Sequence, residues 1–452
     1  AFLSGPGGTG KSHVIRMARE NTLRLLSLNK LIEPGDIPVV LTATTGVAAY
    51  NIGGQTIHSA FLLMAQDKLS AGKQNELQQR FAKLPLGLVV CDEVSMLGEA
   101  NLRKLNTRLN QITENTNETR YFGGCSLLLV GDLCQLGPVG QAKIYRPPPL
   151  SAGSIAAHGS VWKDCVALHE LTEVMRQADD LEFAQLLNRI RVGKIEKEDM
   201  LLLLTRDITL TDEDYWENEL HVFSTNDAAN KHNSRMLALL GTEVHTVHAS
   251  IRSKDEATGQ INSSTLGSMS RNQTRGLEYN LSIAEGAKVM LVANLDTQDG
   301  LVNGAMGEVV KIILFQRRVQ RVLVRFLDEK VGKKAIQVSP YKSQYKDCVP
   351  IDRIQVSVSG SKKKDDILTF RLTQFPLILC YGCTVFKVQG LTLEKIVISF
   401  EGRMHPGEAY VALSRVKSLS GLQLLRFHQS AISHSIDAVI EMQRLRRDSQ
   451  LQ

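Results

Sequence analysis

The chain has 452 residues, 43% of them hydrophobic and 22% charged, which is room for two to four domains and excludes a small fold held by staples. No run reaches the roughly 18 apolar residues of a membrane helix, so no membrane partner is expected, and a net charge of +6 neither marks nor excludes a polyanion. Seven Cys, an odd number with Cys91 and Cys125 inside apolar runs, exclude a disulfide framework and point to a reducing compartment.

Taken in order, the chain opens at Ala1 inside a strand-like run and without an initiator Met, which reads as a domain of a longer polypeptide whose targeting region is not visible. Over 1–170, apolar runs at Phe2-Leu3, Pro38 to Leu41, Leu86 to Cys91 and Ser126 to Val130 alternate with helical patterns such as His13 to Leu28. That alternation predicts a mostly parallel sheet flanked by helices, with ligand-binding loops after the strand ends. A short helical insertion is expected at about 65–85, and an extended surface loop at Arg146 to Pro149. A second α/β portion is predicted over 171–278. It holds a helix at Asp180 to Val192, core material at Met200 to Leu204, a strand at Leu220 to Phe223 and a helix at Asp227 to Leu240. It resumes over 375–430, and a basic helix or tail fills 431–452.

The stretch 279–374 has a different character, with strands predicted at Lys288 to Val292, Glu308 to Phe315, Val319 to Phe326 and Ile351 to Val358. Over 305–374, 15 Lys and Arg stand against 7 Asp and Glu, a net of +8 that exceeds the charge of the whole chain. The basic excess therefore sits in an inserted all-β module. The runs Lys362 to Lys364 and Arg444, Arg446, Arg447 read as solvated faces. Cys380 and Cys383 form one CxxC pair with no second pair at zinc spacing, and both thiols suit a buried strand.

Three motifs carry chemistry. Gly5-Pro6-Gly7-Gly8-Thr9-Gly10-Lys11-Ser12 is a P-loop between a strand and a helix. Its glycines let backbone N–H groups wrap phosphates, Lys11 reaches the β and γ oxygens, and Ser12 is placed to ligate Mg²⁺. Leu88 to Cys91 is an apolar strand ending in Asp92 and Glu93, a carboxylate for the metal and one to take the proton of an attacking water. Leu127 to Val130 runs into Gly131-Asp132, and the amide of Gln135 is placed either to sense the γ-phosphate or to stabilise a turn.

These motifs are joined by Phe122-Gly123-Gly124, Met175-Arg176-Gln177, Val302-Asn303-Gly304-Ala305-Met306-Gly307, Lys387-Val388-Gln389-Gly390 and Tyr410-Val411-Ala412-Leu413-Ser414-Arg415. In that order, over nearly the whole chain, they resemble the PIF-type (petite integration frequency) DNA helicases, the 5′-to-3′ branch of superfamily one. Helitron transposon helicases belong to the same group. The resemblance implies two RecA-like P-loop NTPase motor domains with a small SH3-like all-β insertion in the second. It implies an ATP site made by Gly5, Gly8, Thr9, Gly10, Lys11, Ser12, Asp92, Glu93 and Gly390, with Gln135 as phosphate sensor. Arg176 and Arg415 are implied to reach the same nucleotide from the second motor half.

It further implies that Thr44, Thr45 and His58, then Asn226, Phe386, Lys387 and Gln389, line a track for single-stranded DNA. Three positions depart from the family pattern. Phe386 replaces a usual His and is either placed to stack on a base or buried, as Phe is by default, Val388 replaces a common Ser, and Gly137 replaces a Pro. The expected activity is ATP hydrolysis driving movement along single strands and the opening of duplex junctions, by a monomeric motor or a domain of a larger protein. Replication, repair, recombination, telomere maintenance and transposition are the expected settings, in the nucleus or alternatively the mitochondrion. The alternative is an ATP-switched nucleic-acid-binding module without processive unwinding. A small-molecule P-loop kinase is disfavoured, because it requires neither Glu93 nor Arg415.

Overall fold

The computed structural model describes residues 1–30, 32, 38–63, 69–81, 87–114, 120–146, 160–210, 214–253, 274–359 and 369–450. The chain divides into two compact units, one of Ala1–Trp216 with Val388–Gln452 and one of Glu217–Lys387.

In the first unit six parallel strands stand in the order Gln55–Thr56, Val39–Ala43, Leu88–Asp92, Ser126–Gly131, Phe2–Ser4 and Leu168–Glu170. Successive side chains point to opposite faces of a strand, so Leu3, Leu41, Val90 and Val130 share one face with Ile15, Ala48 and Ala49. Phe2, Val40, Val89 and Leu129 share the other with Leu102, Leu105 and Leu109 of the helix Glu99–Ile112. Both faces being covered explains why these strands read as continuous apolar runs. The helix Ile436–Gln450 adds Ala438, Met442 and Leu445 to the second face. Strands Ile396–Ser399 and Leu422–Leu425 pair in parallel in the same unit.

The second unit holds the parallel pair His221–Phe223 and Gly382–Thr384 beside the helix Asn226–Leu239. It also holds three antiparallel sheets. The largest runs Val349–Ile351, Arg318–Phe326, Met306–Phe315, Lys288–Leu291, Leu377–Leu379. Ile354–Ser359, Thr369–Gln374 and Ser250–Ser253 form the next, and Asn280–Ile283 pairs with His245–His248. The fold is thus α/β with parallel RecA-like sheets and an antiparallel insertion, whose described strands begin at His245 and whose described residues also form the short helix Lys333–Gln337.

Three details differ from expectation, and a fourth separates two readings. The strand predicted at Ile351 to Val358 is two, because Asp352 turns aside to bind Arg321 (2.6 and 3.0 Å) and each half pairs in a different sheet. Met200 to Leu204 lies in the helix Lys197–Leu204 and is core only in part: Leu203 is buried, whereas Leu201 is 64% exposed. Arg444 and Arg446 are ion-paired, the first to Glu441 and Asp448, the second to Glu170. Phe386 is 36% exposed, not the buried Phe that is the ordinary case. The helix Ala71–Phe81 falls within the expected insertion. The rest of that insertion at 65–68 and 82–85, the loop residues 147–149 and the run Lys362 to Lys364 lie outside the described residues.

Candidate nucleotide site

The strand Phe2–Ser4 delivers the chain into the glycine loop, and the helix Lys11–Leu28 takes it away. Gly8 (φ 85°) and Gly10 (φ 80°) are left-handed, a conformation that costs glycine little. At Gly8 space matters as well, since a Cβ there would stand 2.4 Å from the Cβ of Arg176. Gly10 precedes the helix and no side chain caps it, which leaves a helix N-terminus suited to an anion. Lys11 folds over the loop, its Nζ donating to the carbonyls of Gly5 (2.7 Å) and Pro6 (2.8 Å). Burial pulls its pKa down, against the opposing pull of Asp132, Glu93 and Asp92.

Asp92 ends the strand Leu88–Asp92, and its Oδ1 accepts the Glu93 N–H at 2.8 Å. Burial, and then the neighbouring Glu93, push its pKa up to about 7. A buried carboxylate so poorly compensated fits a cation. Magnesium, commonly held by one or two protein oxygens plus phosphates, would here be held by Asp92 and Ser12. Glu93 stands in a left-handed backbone conformation (φ 53°), rare for a residue with a Cβ. The Thr44 hydroxyl donates to its carbonyl at 2.9 Å, and Gln389 Nε2 donates to its carboxylate Oε2 at 3.0 Å. Gln135 is buried with its Oε1 unpartnered.

Arg176 Nη1 donates to the Ser414 carbonyl (2.9 Å), and Arg415 donates to the Val411 carbonyl and the Ser414 hydroxyl (2.8 Å each). Burial, then the other guanidinium, lowers the Arg176 pKa to about 10, and burial lowers that of Arg415. Among the described residues neither has a carboxylate within ion-pair distance. A buried cation left uncompensated is costly unless an anion joins it, and Arg415 is 2% exposed with the half-buried Arg176 as its neighbour. Lys11, Ser12, Asp92, Glu93, Gln135, Gly390 and both arginines line one cavity of about 260 Å³. All belong to the first compact unit.

The motif readings left one support without a role. The Tyr410 hydroxyl accepts the Gly7 N–H (3.1 Å) and donates to Asp132 Oδ2 (3.2 Å). Asp132 is gripped in turn by Arg191, at 2.9 Å from Nε and 2.8 Å from Nη2. Tyr410 and Asp132 stand inside recognisable motifs, whereas Arg191 sits in a plain helix, Leu181–Val192, and carries no local signal.

The DNA-track candidates fall in both units, Thr44, Thr45, His58 and Gln389 in the first and Asn226, Phe386 and Lys387 in the second. The Thr44 hydroxyl is committed to the Glu93 carbonyl, and Thr45 caps the helix Gly46–Asn51 by accepting the Ala48 N–H. His58 Nε2 meets Asn101 Nδ2 at 3.2 Å, and burial lowers its pKa, as for a structural histidine. Asn226 and Phe386 are exposed, and Lys387 Nζ donates to Asn303 Oδ1 at 3.1 Å. Gln389 is buried against Glu93.

A cavity walled by glycine-loop backbone, three cationic side chains and a strand-end Asp-Glu pair, at the carboxyl ends of a parallel sheet, defines a P-loop protein of the RecA-like class. Residues 1–200 match the PIF1-like helicase family, and residues 277–312 match the 2B domain of DNA helicase Pif1. The chain is 31% identical over 443 residues to the human ATP-dependent DNA helicase PIF1, covering 95% of this chain and 59% of that protein. Against the Candida albicans PIF1 helicase it is 28% identical over 508 residues, covering 96% and 53%. It belongs to the PIF1-like helicase family, and spans a little over half the length of these relatives.

Among solved structures, the Candida albicans Pif1 helicase superposes with a TM-score of 0.73 at 25% identity, over 99% of this chain and 95% of that one. The Bacteroides Pif1 solved bound to single-stranded DNA gives 0.71 at 23%, over 100% and 94%, a likeness of fold.

Proposed function

We infer that this chain is the motor of an ATP-dependent DNA helicase, which hydrolyses ATP to move 5′-to-3′ along single-stranded DNA and open duplex junctions. One observation carries the reading: the buried Arg415 and the half-buried Lys11 and Arg176 line a cavity that also presents Glu93, and among the described residues none of the three has a carboxylate within ion-pair distance. Three cations suit the charge of a triphosphate, and a carboxylate beside them suits removal of a proton from water. Lys11 and the glycine-loop N–H groups hold the phosphates, Gln135 offers its unpartnered amide oxygen, and the two guanidiniums stabilise charge as the terminal phosphoryl group departs. Magnesium, held by Asp92 and Ser12, would supply positive charge that offsets the negative charge of the phosphates.

The family's name supports the nucleic-acid half of the reading, as does the +8 charge over 305–374. A nuclear or mitochondrial setting, and a part in replication, repair, recombination, telomere maintenance or transposition, belong to the same proposal and rest on family resemblance. The test is ATP turnover with no nucleic acid, with single-stranded DNA and with RNA, then strand separation of forks carrying a 5′ or a 3′ tail. Stimulation by DNA and opening of the 5′-tailed fork are expected. Turnover indifferent to nucleic acid would refute the motor, and stimulation without strand separation would leave an ATP-switched binding module.

A further inference from the structure

The geometry points to Gln389 as the residue that positions the hydrolytic carboxylate of Glu93, a role separate from nucleic-acid contact. The inference rests on the hydrolase reading above. Gln389 is 3% exposed, and its Nε2 lies 3.0 Å from Glu93 Oε2 across 296 positions of sequence. A carboxylate only accepts, so the amide must present its nitrogen there, and the orientation is fixed. Its other atom, Oε1, is buried and has no hydrogen-bond partner among the described residues. An orphaned buried oxygen is destabilising, and an apolar side chain of similar length would fill the space without that loss. Packing therefore does not account for a glutamine at this position, whereas the bond to Glu93 does.

The rest of Glu93 is held from other directions. Its backbone is fixed in the left-handed region, and its carbonyl accepts from the Thr44 hydroxyl. The side chain is long, and a base must aim one lone pair at the water. With Oε2 engaged by Gln389, Oε1 is the oxygen left for the proton. A Cβ at the next residue, Gly390, would stand 4.0 Å from Oε1, so a glycine keeps that side open. In the step served, a water oxygen bonds to the γ-phosphorus and its proton passes to Glu93 Oε1. The bond from the γ-phosphorus to the bridging oxygen breaks, and ADP leaves with that electron pair.

The test compares the parent with Gln389→Met and Gln389→Glu for kcat, KM, nucleotide and single-stranded-DNA affinity, and melting temperature. Gln389→Met is expected to lower kcat about 10- to 100-fold, the scale of a misaimed catalytic group, with KM, both affinities and melting unchanged. Gln389→Glu, which sets carboxylate against carboxylate, should fall at least as far. In a Glu93→Gln background, Gln389→Met should change the residual rate by less than about twofold, since the two act as a unit. An unchanged kcat, losses that multiply independently, or a loss confined to DNA affinity would each overturn the inference. A parent that binds nucleotide and hydrolyses none sinks the hydrolase reading, and this inference with it. A parent that turns over at the same rate as Gln389→Met sinks this inference alone.

Discussion

Replacing Arg191 by Met tests whether the glycine loop depends on a support behind it. Asp132 is fully buried and Arg191 is 7% exposed, and the pair is bidentate. Without the guanidinium, Asp132 keeps only the Cys134 N–H at 3.1 Å and the Tyr410 hydroxyl at 3.2 Å. Breaking a buried pair from one side costs about 3–5 kcal/mol, because the remaining charge is left uncompensated. At roughly 2–4 °C per kcal/mol for a unit of this size, the melting temperature should fall by roughly 6–20 °C. The loss should also reach the nucleotide, since Tyr410 connects Asp132 to the Gly7 N–H. Burial raises the pKa of Asp132, but Arg191 outweighs it and the net shift is downward from the ordinary 3.8. The stabilisation is thus present above 3.8 and lost as pH falls through the lowered value, so the gap between parent and variant should narrow in acid. The assay is thermal melting by circular dichroism at several pH values, with binding of a fluorescent ATP analogue. A melting temperature within about 2 °C of the parent, at neutral pH, would refute the reasoning. So would an Asp132→Asn, Arg191→Met double variant no more stable than the single one, since it removes the stranded charge.

Lys11→Ala should abolish hydrolysis, whereas Glu93→Gln should keep nucleotide binding and lose turnover; hydrolysis at the parent rate by Glu93→Gln would overturn the base assignment. Arg415→Ala should lower kcat far more than ATP affinity, and a loss confined to affinity would count against a transition-state role. Charge reversal at the exposed Arg317, Arg318, Lys333 and Lys334 should weaken DNA binding and flatten its salt dependence by about 0.7 per lost contact on a single strand, with turnover at saturating DNA little changed. Identical salt slopes would leave those residues as a solvated face. His221 is buried, its ring 4.2 Å from that of His232, and burial and then His232 lower its pKa from 6.5 to about 4. The unfolded chain therefore binds more protons between those values, and the second unit should lose roughly 3 kcal/mol as pH falls from 6.5 to 4. Chemical denaturation across that range should show the slope in the parent and its absence in His221→Phe.

The phosphate-facing half of the site was legible because its geometry is local. A glycine loop between a strand and a helix, and a carboxylate pair at a strand end, each need only a few consecutive residues, and Lys11, Asp92 and Glu93 share the cavity those patterns imply. Arg176 and Arg415 carry no such pattern and were reached through resemblance. Arg191 and the true place of Gln389 were out of reach, since each depends on a contact between segments distant in sequence, 59 positions apart for Arg191 and Asp132. Strand edges failed where a charged side chain found a partner, as at Asp352. His245–His248 and Ser250–Ser253 went unseen because their apolar residues are too few to show a period of two.

The first unit is assembled from two stretches of chain separated by the 171 residues of Glu217–Lys387. A ribosome adding 5–20 residues per second needs about 10–35 s to pass through that interval. During it the six-stranded sheet already exists in full as sequence, but Tyr410, Arg415 and the helix covering Phe2 and Trp162 have not been made. The glycine loop thus emerges long before its brace, with an apolar sheet face waiting for Met442 and Leu445. Completion of the nucleotide cavity thus waits on the second stretch, and a chain stalled anywhere before residue 388 would present a half-covered sheet to chaperones and proteases.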